Sequence, residues 1–294
     1  MSEIYVEELN VYPIKSCGPI RSESFEVSAK GLAYDREWVI TRPNGTFISQ
    51  RTNPELALVE TALDGDKLLL NAPLVGEIAI SLERDSEEET EIDIFKKPGT
   101  GTDEGDVAAN YFSDYLGKPV RLFRNKQPRL IKEECRQDGV SSDVGFADGF
   151  PVLLASIKSL GMLNKSSLQP IDMARFRANI VINGDGLEAY EEDYWRQVSI
   201  GKHAGFHIVR ACARCPMPNI DQSAGILPKP ADRFVSAALK ESRSGIDPLN
   251  GKEEVFFGQN LSPSLSTIGQ TISVGDKLSI HDAEDSRNLL PISE

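Results

Sequence analysis

The sequence predicts a β-rich α+β fold, and three observations support this prediction. Short runs of apolar or alternating residues recur along the chain with turn residues between them, as in the strands of a barrel or meander. Helical periodicity is confined to a few short stretches. The 294 residues, 40% hydrophobic and 26% charged, are enough for two globular domains, each with its own core.

The first half of the chain is predicted to consist of strands joined by turns. The predicted strands cover residues 5–12, 25–27, 35–41, 47–51, 56–61, 67–71, 78–82, 91–95 and 120–123. A turn at 42–45 joins two of them as a hairpin. The acidic segment 83–91 is predicted to be a solvated hairpin tip, and 98–105 a polar, glycine-rich loop. A helix follows, and Gly117 ends it.

The second half is predicted to mix short helices with further strands. Helices are expected at 230–240 and after Ser156, which is suited to capping one. The predicted strands cover residues 180–182, 197–200, 206–209, 271–274 and 277–280. The polar stretch 124–138 is the predicted domain boundary. It gives an N-terminal β-rich domain at 1–125, a second domain at 126–282 and a loose tail at 283–294.

Charge and cysteine content narrow the possible partners and the compartment. A net charge of −13 argues against binding nucleic acid or an anionic membrane surface. The N-terminal residues lack the basic start and apolar run of a signal peptide, and no apolar run is long enough to cross a bilayer. Four cysteines without framework spacing indicate a reducing, cytoplasmic location.

The segment 210–221 has the chemistry of a site. It contains Cys212 and Cys215, and Arg214 lies directly before the second cysteine. A thiol beside a guanidinium is expected to have a lowered pKa and a larger thiolate fraction. Two prolines follow and restrict the backbone that presents this thiol. These features favour a ligand or nucleophile over a core cysteine.

The pattern of this segment leaves three interpretations open. The CxxC spacing could be half of a zinc site or a redox pair, although no second half of a zinc site is visible. One cysteine could be buried and the other incidental. A single thiolate could instead bind a soft metal, and the neighbouring arginines favour this because they indicate an anionic ligand.

Other polar residues stand where strands begin or end. Lys15 and Ser16 form a loop that could hold a phosphate or a polar ring edge, or could be a solvated turn. Asp148 could be a site acid or an ordinary Asx turn. Arg177 precedes a strand and could bind a phosphate through two hydrogen bonds. If Lys15, Arg36, Arg177 and Arg214 converge, they form one anion site between the two halves.

Three stretches together resemble the MOSC domain family of molybdenum-cofactor-binding proteins. Arg214-Cys215, with Asp221 six residues on, resembles the family's cysteine loop. Tyr12-Pro-Ile-Lys-Ser-Cys17 is similar to the start of the β-barrel domain that precedes MOSC in the amidoxime-reducing branch. Phe176-Arg-Ala-Asn-Ile-Val-Ile182 resembles that branch's Phe-Arg-x-Asn segment. The resemblance implies an N-terminal β-barrel-like domain followed by a MOSC-type β-barrel with flanking helices.

The resemblance also implies a cofactor and the residues that bind it. The cofactor would be molybdenum with a single pyranopterin, and Cys215 would ligate the metal. Asp148 matches an acid near the metal and is the candidate for proton delivery. A surface salt bridge is the alternative role for Arg51, and Asn179 suits a pterin edge. The implied cofactor-binding residues are Lys15, Ser16, Arg36, Arg51, Arg177, Asn179, Arg214 and Gln259.

The function implied by the resemblance is the reduction of N-hydroxylated small molecules. Electrons would come from a separate ferredoxin-, flavodoxin- or cytochrome b5-like donor, because no cysteine after Cys215 could hold the iron–sulfur cluster of some bacterial relatives. The membrane anchor of mitochondrial relatives is not expected here. Nor is the pyridoxal-phosphate domain of the cofactor sulfurases, so pyridoxal phosphate binding is only a family-level expectation. A cofactor carrier or sulfur-transfer protein with a persulfide on Cys215 is the alternative, and a metal-free thiol-redox or interaction protein is a third.

Overall fold

The structure is a computed structural model that describes residues 3–83, 88–95 and 97–284. It confirms the β-rich α+β fold. The elements of the first half are β1 (Ile4–Val11), β2 (Ile20–Arg21), β3 (Ser24–Ser28), β4 (Gly31–Leu32), β5 (Trp38–Thr41), β6 (Glu60–Asp64), β7 (Lys67–Ala72), β8 (Gly76–Ser81), β9 (Thr90–Ile94), β10 (Lys97–Asp103), α1 (Asp106–Leu116) and β11 (Arg121–Gln127). Those of the second half are β12 (Arg129–Leu130), β13 (Asp143–Val144), β14 (Val152–Ser156), α2 (Ile157–Lys165), β15 (Ile180–Gly184), β16 (Trp195–Ile200), β17 (Ala204–Ala213), α3 (Phe234–Ser242), β18 (Ser244–Ile246), β19 (Glu253–Pro263), β20 (Thr271–Ser273) and β21 (Lys277–Ala283).

Seven strands close into a barrel in the order β14-β15-β1-β21-β16-β17-β19, and β19 pairs back onto β14. The β14–β15 pair is parallel and the other pairs are antiparallel. Gly258 lets β19 approach β14 closely: its φ is +77°, and a Cβ there would lie 2.6 Å from the Leu154 carbonyl oxygen. Closure leaves no free edge along the barrel, and it fixes β17, the strand that leads into the cysteine loop.

The barrel takes strands from both ends of the chain. β1 pairs with β15 on one side and with β21 on the other, and β3 pairs with β20. Apolar residues of β1, β3 and β4 are therefore buried in the same core as those of the second half. The rest of the first half forms two smaller sheets, β5-β11-β10-β9 and β6-β7-β8, and α1 contributes to their core. The division of the chain into domains at residue 125 stays a prediction.

The predicted helices are present, with signals that match their ends. Gly117 follows α1 in the left-handed conformation, with φ 63°. The Ser156 side chain accepts hydrogen bonds from the backbone amides of Lys158 and Ser159 at the start of α2. In the third predicted helix, Pro230–Asp232 forms a separate 3-10 turn and α3 begins at Phe234. No helix in the described ranges is long and apolar enough to cross a membrane.

Several predicted elements were wrong. Residues 98–105 do not form a loop, because β10 covers most of them. Gly101 allows β10 to pack closely on β9, since a Cβ at this position would lie 2.6 Å from the Ile92 side chain. The segment 47–51 forms no strand of its own, and Pro54–Leu58 is a 3-10 helix where a strand was expected to start. β21 continues to Ala283, and the loose tail stays a prediction because residues 285–294, like 84–87 of the acidic tip, lie outside the described residues.

Candidate functional site

A cavity of about 380 Å³ lies where loops of the first half meet the cysteine loop and the ends of the barrel strands. All but one of the predicted site residues line it: Lys15, Ser16, Arg36, Arg51, Asp148, Arg177, Asn179, Arg214 and Cys215. The convergence of positive side chains from separate segments, expected from the sequence, is therefore present. Such a concentration of cations in a protein with net charge −13 marks an anion-binding cavity.

Two arginines stack on one tyrosine at the inner end of the cavity. The guanidinium carbons of Arg36 and Arg177 lie 4.5 and 4.0 Å from the centre of the Tyr12 ring. Arg36 donates hydrogen bonds to Asp35 at 2.5 Å and to the side-chain oxygen of Asn179 at 3.1 Å. These contacts fix the guanidinium of Arg36 before any ligand arrives.

Asn179 lines the cavity, but its amide is committed to the protein. Its side-chain oxygen accepts from Arg36 and from the Leu153 backbone amide, at 3.1 and 3.0 Å. Its side-chain nitrogen donates to the Asn10 carbonyl and to Asp35, at 3.1 and 2.9 Å. The hydrogen-bonding capacity of the amide is thus used within the protein. In this structure Asn179 positions Arg36, rather than offering free donors to the edge of a ring as the sequence suggested.

Arg177 carries a buried charge without full compensation. The residue is 7% exposed, and its Nη1 atom has no hydrogen-bond partner in the described part of the chain. Burial lowers the pKa of Arg177 to about 10. Buried donors without acceptors are rare and costly in folded proteins.

Arg214 repeats this arrangement closer to the thiol. It donates from Nη1 to the Cys212 sulfur at 3.0 Å and from Nη2 to the Phe176 carbonyl at 2.9 Å. Its Nε atom is buried and has no partner among the described residues. Arg177 and Arg214 both line the cavity, so two guanidinium groups contribute positive charge to it. This charge favours an anionic ligand.

Around Cys215, four side chains form a chain of charged contacts. Arg51 hydrogen-bonds to Cys215 and also lies 3.5 Å from Asp148. Burial lowers the pKa of Arg51, but the neighbouring Cys215 and Asp148 raise it, and the net change is upward. Asp148 in turn pairs with Lys15, whose ammonium also donates to the Phe146 carbonyl at 2.8 Å. Arg51 and Asp148 both line the cavity, so this ion pair belongs to the cavity wall.

The Lys15–Asp148 pair fixes which of the two groups holds the proton. Burial favours the neutral acid at Asp148, but Lys15, Arg51 and Arg36 hold the pKa of its carboxyl below the ordinary value. Burial lowers the pKa of Lys15, and Asp148 opposes that change. The carboxylate is therefore ionised at neutral pH, and Lys15 donates a hydrogen bond to it. Asp148 as found here accepts hydrogen bonds and has no proton to give.

The cysteine loop is held by a residue that the sequence analysis did not single out. Arg175 is buried and donates to three backbone carbonyls of the loop, the shortest contact being 2.9 Å to Ile220. It also contacts Asp221 at 3.4 Å. Gln50 and Gln222 exchange side-chain hydrogen bonds at 3.1 and 3.2 Å, which ties the loop to the first half of the chain. The only sequence signal for Arg175 is its position two residues before Arg177.

The two cysteines differ in their surroundings. Cys212 packs against an apolar cluster and accepts a hydrogen bond from Arg214, whereas Cys215 contacts Arg51. Both are half-buried and free. In the ranges that the structure describes, no group of three or more histidine, cysteine, aspartate or glutamate side chains is placed to hold a metal ion.

Gln259, the remaining predicted site residue, does not reach the cavity. It is buried, and its side chain donates to Asp193 at 2.8 Å, where Arg243 also pairs. Its neighbour Asn260 lines the cavity instead. Successive side chains of β19 point to opposite faces, so only one of these two neighbours can reach the cavity. A cofactor contact by Gln259 stays a prediction, and the cavity lining does not include this residue.

Unusual backbone conformations concentrate around the cavity. Seven non-glycine residues in the described chain have positive φ, and four of them line the cavity: Ser16, Arg36, Phe95 and Arg177. Such conformations cost roughly 1–2 kcal/mol each and persist where the surrounding structure imposes them. They place side chains at angles that ordinary strand or turn geometry does not reach, and sequence periodicity carries no sign of them.

A closed β-barrel that presents a free thiol beside an arginine-lined cavity defines a class of anion- and cofactor-binding proteins. The chain belongs to the MOSC family: the model of the MOSC N-terminal beta barrel domain matches residues 3–119, and that of the MOSC domain matches residues 141–279. This family is associated with the molybdenum cofactor.

Named relatives fall into two groups. The chain is 30% identical to mitochondrial amidoxime reducing component 2 of Bos taurus, over 92% of this chain and 81% of that protein. It is 28% identical to mitochondrial amidoxime-reducing component 1 of Xenopus laevis, over 92% and 80%. It is 29% identical to the molybdenum cofactor sulfurase of Oryza sativa subsp. japonica, over 95% of this chain but only 36% of the sulfurase.

Proposed function

We propose that this protein binds a single-pterin molybdenum cofactor in the cavity and reduces N-hydroxylated small molecules with electrons from a separate donor protein. The observation that carries the proposal is the pairing of two features in one cavity. Arg177 and Arg214 bring two guanidinium groups to its lining, and Cys215 stands free beside Arg51. The amidoxime-reducing relatives, which the chain matches over most of their length, support the same reaction class.

The residues present fit such a cofactor. Arg177 and Arg214 would hold its anionic part, because both line the cavity and guanidinium groups donate charge-assisted hydrogen bonds to anionic oxygens. Cys215 would supply a thiolate, which is a suitable ligand for a soft metal centre. The cavity volume of about 380 Å³ lies in the range of about 300–1,000 Å³ usual for small-molecule sites. When bound, the cofactor would supply two-electron metal chemistry that the side chains cannot provide.

The side chains would manage protons and orientation. Breaking an N–O bond by reduction consumes two electrons and two protons, and releases water. Lys15 would carry a proton at Nζ, and Asp148 would favour the charged form because it pairs with this side chain and raises its pKa against the effect of burial. Arg51 orients Asp148 from the other side. Lys15 is therefore the better candidate for the proton donor, with Asp148 as its positioning residue.

Partners and location follow from the same proposal. The donor would be a ferredoxin-, flavodoxin- or cytochrome b5-like protein, and neither nucleic acid nor a membrane is needed. The four free cysteines suit the reducing conditions of the cytoplasm.

A cofactor carrier or sulfur-transfer role is the second candidate. It is favoured by the match of this chain to a stretch of the molybdenum cofactor sulfurases that covers 36% of the rice protein. In that role Cys215 would carry a persulfide, and the arginines would hold cofactor for delivery.

One experiment separates the two candidates. Protein made in a host that produces the cofactor is reduced with an artificial low-potential donor and offered N-hydroxylated amidines and hydroxylamines. We expect reduction to the amidine or amine, and little reaction with nicotinamide cofactors alone. Loaded and reduced protein that leaves these compounds untouched, yet passes its cofactor to an apo-enzyme, would be a carrier.

A further inference from the structure

An aromatic corner lines the cavity close to the thiol. It consists of Phe47, after β5, and Phe95, directly after β9; the ring centres lie 4.6 Å apart in an edge-to-face arrangement. Phe95 is 41% exposed and lines the cavity. A phenylalanine ring left this accessible forgoes burial worth roughly 1 kcal/mol or more. The ring is therefore available to a ligand.

The contacts of this corner place it at the thiol end of the cavity. The guanidinium carbon of Arg51 lies 4.7 Å from the centre of the Phe95 ring, and Arg51 also contacts Cys215. The Lys15 ammonium lies 5.5 and 5.7 Å from the Phe47 and Phe95 rings. Arg177, by contrast, stacks on Tyr12. A molecule that approaches Cys215, Lys15 and Asp148 therefore meets the Phe95 ring.

The backbone of Phe95 has an energetically unfavourable conformation. Its φ is 54°, a left-handed conformation that bulky residues rarely adopt and that costs roughly 1–2 kcal/mol. Glycine or asparagine would occupy a turn position of this kind without that cost. A bulky apolar residue at this position, with its ring exposed in the cavity, therefore favours a role as a contact surface for a ligand over a role in the turn.

We infer that Phe95, supported by Phe47, is the residue that makes the site prefer N-hydroxylated compounds with a flat aromatic group over aliphatic ones. The inference rests on the proposed function, because it assigns the substrate end of that same cavity. Ring–ring contacts contribute about 0.5–1.5 kcal/mol beyond simple burial, which corresponds to about a two- to tenfold preference.

Binding without turnover tests the inference. Cofactor-loaded, oxidised protein is titrated calorimetrically with benzamidoxime and with acetamidoxime, which share the reacting group and differ in the aromatic ring. No electron donor is present, so no reduction occurs. We expect Phe95→Leu to weaken the binding of benzamidoxime about three- to tenfold and the binding of acetamidoxime by less than about twofold. Phe95→Trp, which keeps an aromatic surface, should retain the preference for benzamidoxime over acetamidoxime.

Tyr34 offers a matched control. It is 38% exposed and also left-handed, with φ 68°, but it lies outside the cavity lining. Tyr34→Leu should leave both affinities unchanged, and thermal unfolding of each variant checks that the fold is intact. Equal losses for both compounds in Phe95→Leu, or no loss for either, would overturn the inference and leave the reductase proposal standing. A wild-type protein that binds neither compound in this titration, and reduces neither once an electron donor is added, would overturn both.

Discussion

Replacing Arg177 with methionine should separate the stability of the empty cavity from its capacity to bind an anion. Methionine keeps much of the side-chain volume and has the same backbone cost at φ 56°, so the change is mainly one of charge. Burial lowers the pKa of Arg177 to about 10. At about 1.4 kcal/mol per pKa unit, this corresponds to about 3 kcal/mol of unfavourable free energy for the buried charge.

The sign and size of the net effect follow from two opposing terms. The folded-state pKa is depressed, so the folded protein bears this cost at every pH below about 10, including pH 7. Loss of the contact with Tyr12, at 4.0 Å, removes about 2 kcal/mol of cation–π stabilisation. The cofactor-free Arg177→Met protein should therefore be as stable as the wild type, or about 1 kcal/mol more stable.

Anion binding should change in the opposite direction. A hydrogen bond to a charged group contributes about 1.5–3 kcal/mol, so the variant should bind cofactor about ten- to a hundredfold more weakly. The assay is urea unfolding of cofactor-free protein together with the pterin retained by loaded protein. Arg21→Met is the control, since Arg21 is exposed and pairs weakly with Glu8 at 3.6 Å; it should alter neither quantity. A loss of more than about 2 kcal/mol in the empty Arg177→Met protein, or unchanged pterin retention, would refute this reasoning.

Three further predictions concern single side chains. Cys215→Ser should abolish turnover without unfolding the protein, while Cys212→Ser should keep most activity. Turnover, bound metal and bound pterin are measured for both variants, and an equal loss of turnover in both would end the assignment of Cys215 as ligand. Burial raises the pKa of Glu192 to about 7, so the folded state binds a proton that the unfolded state has released, and wild-type stability should fall by about 3 kcal/mol between pH 4.5 and 7. Glu192→Gln should remove most of this slope in urea unfolding at pH 5 and 8, and parallel profiles for the two proteins would contradict the prediction. Asp148→Asn should lower the pKa of Lys15, because the carboxylate raises it, and so move the alkaline limb of the pH–rate profile to lower pH; an unmoved limb would exclude Lys15 as the proton donor.

The parts of the site that the sequence could predict are those whose chemistry is local. Lys15 and Ser16 follow a strand in a polar loop, and Arg214 precedes Cys215, so residue type and order carry the signal. The fold class followed from short strands separated by turns. The resemblance joined these local signals into one cavity, and the structure brings the four segments together.

What the sequence could not predict depends on contacts between distant residues. The glycines of β10 indicate a loop until Ile92 is known to pack against Gly101. Gln259 and Asn260 are adjacent and chemically alike, and only the register of β19 decides which one faces the cavity. The left-handed backbone of Phe95 has no counterpart in residue pattern. Arg175 acts on carbonyls more than forty residues away, which no local pattern records.

The central claim is that this cavity holds a single-pterin molybdenum cofactor with Cys215 as its thiolate ligand. The most direct test is metal analysis of freshly purified protein from a host that makes the cofactor, combined with fluorescence of the released, oxidised pterin. We expect about one molybdenum and one pterin per chain in the wild type. Stoichiometric zinc without pterin would contradict the claim and would restore the CxxC pair as the metal site.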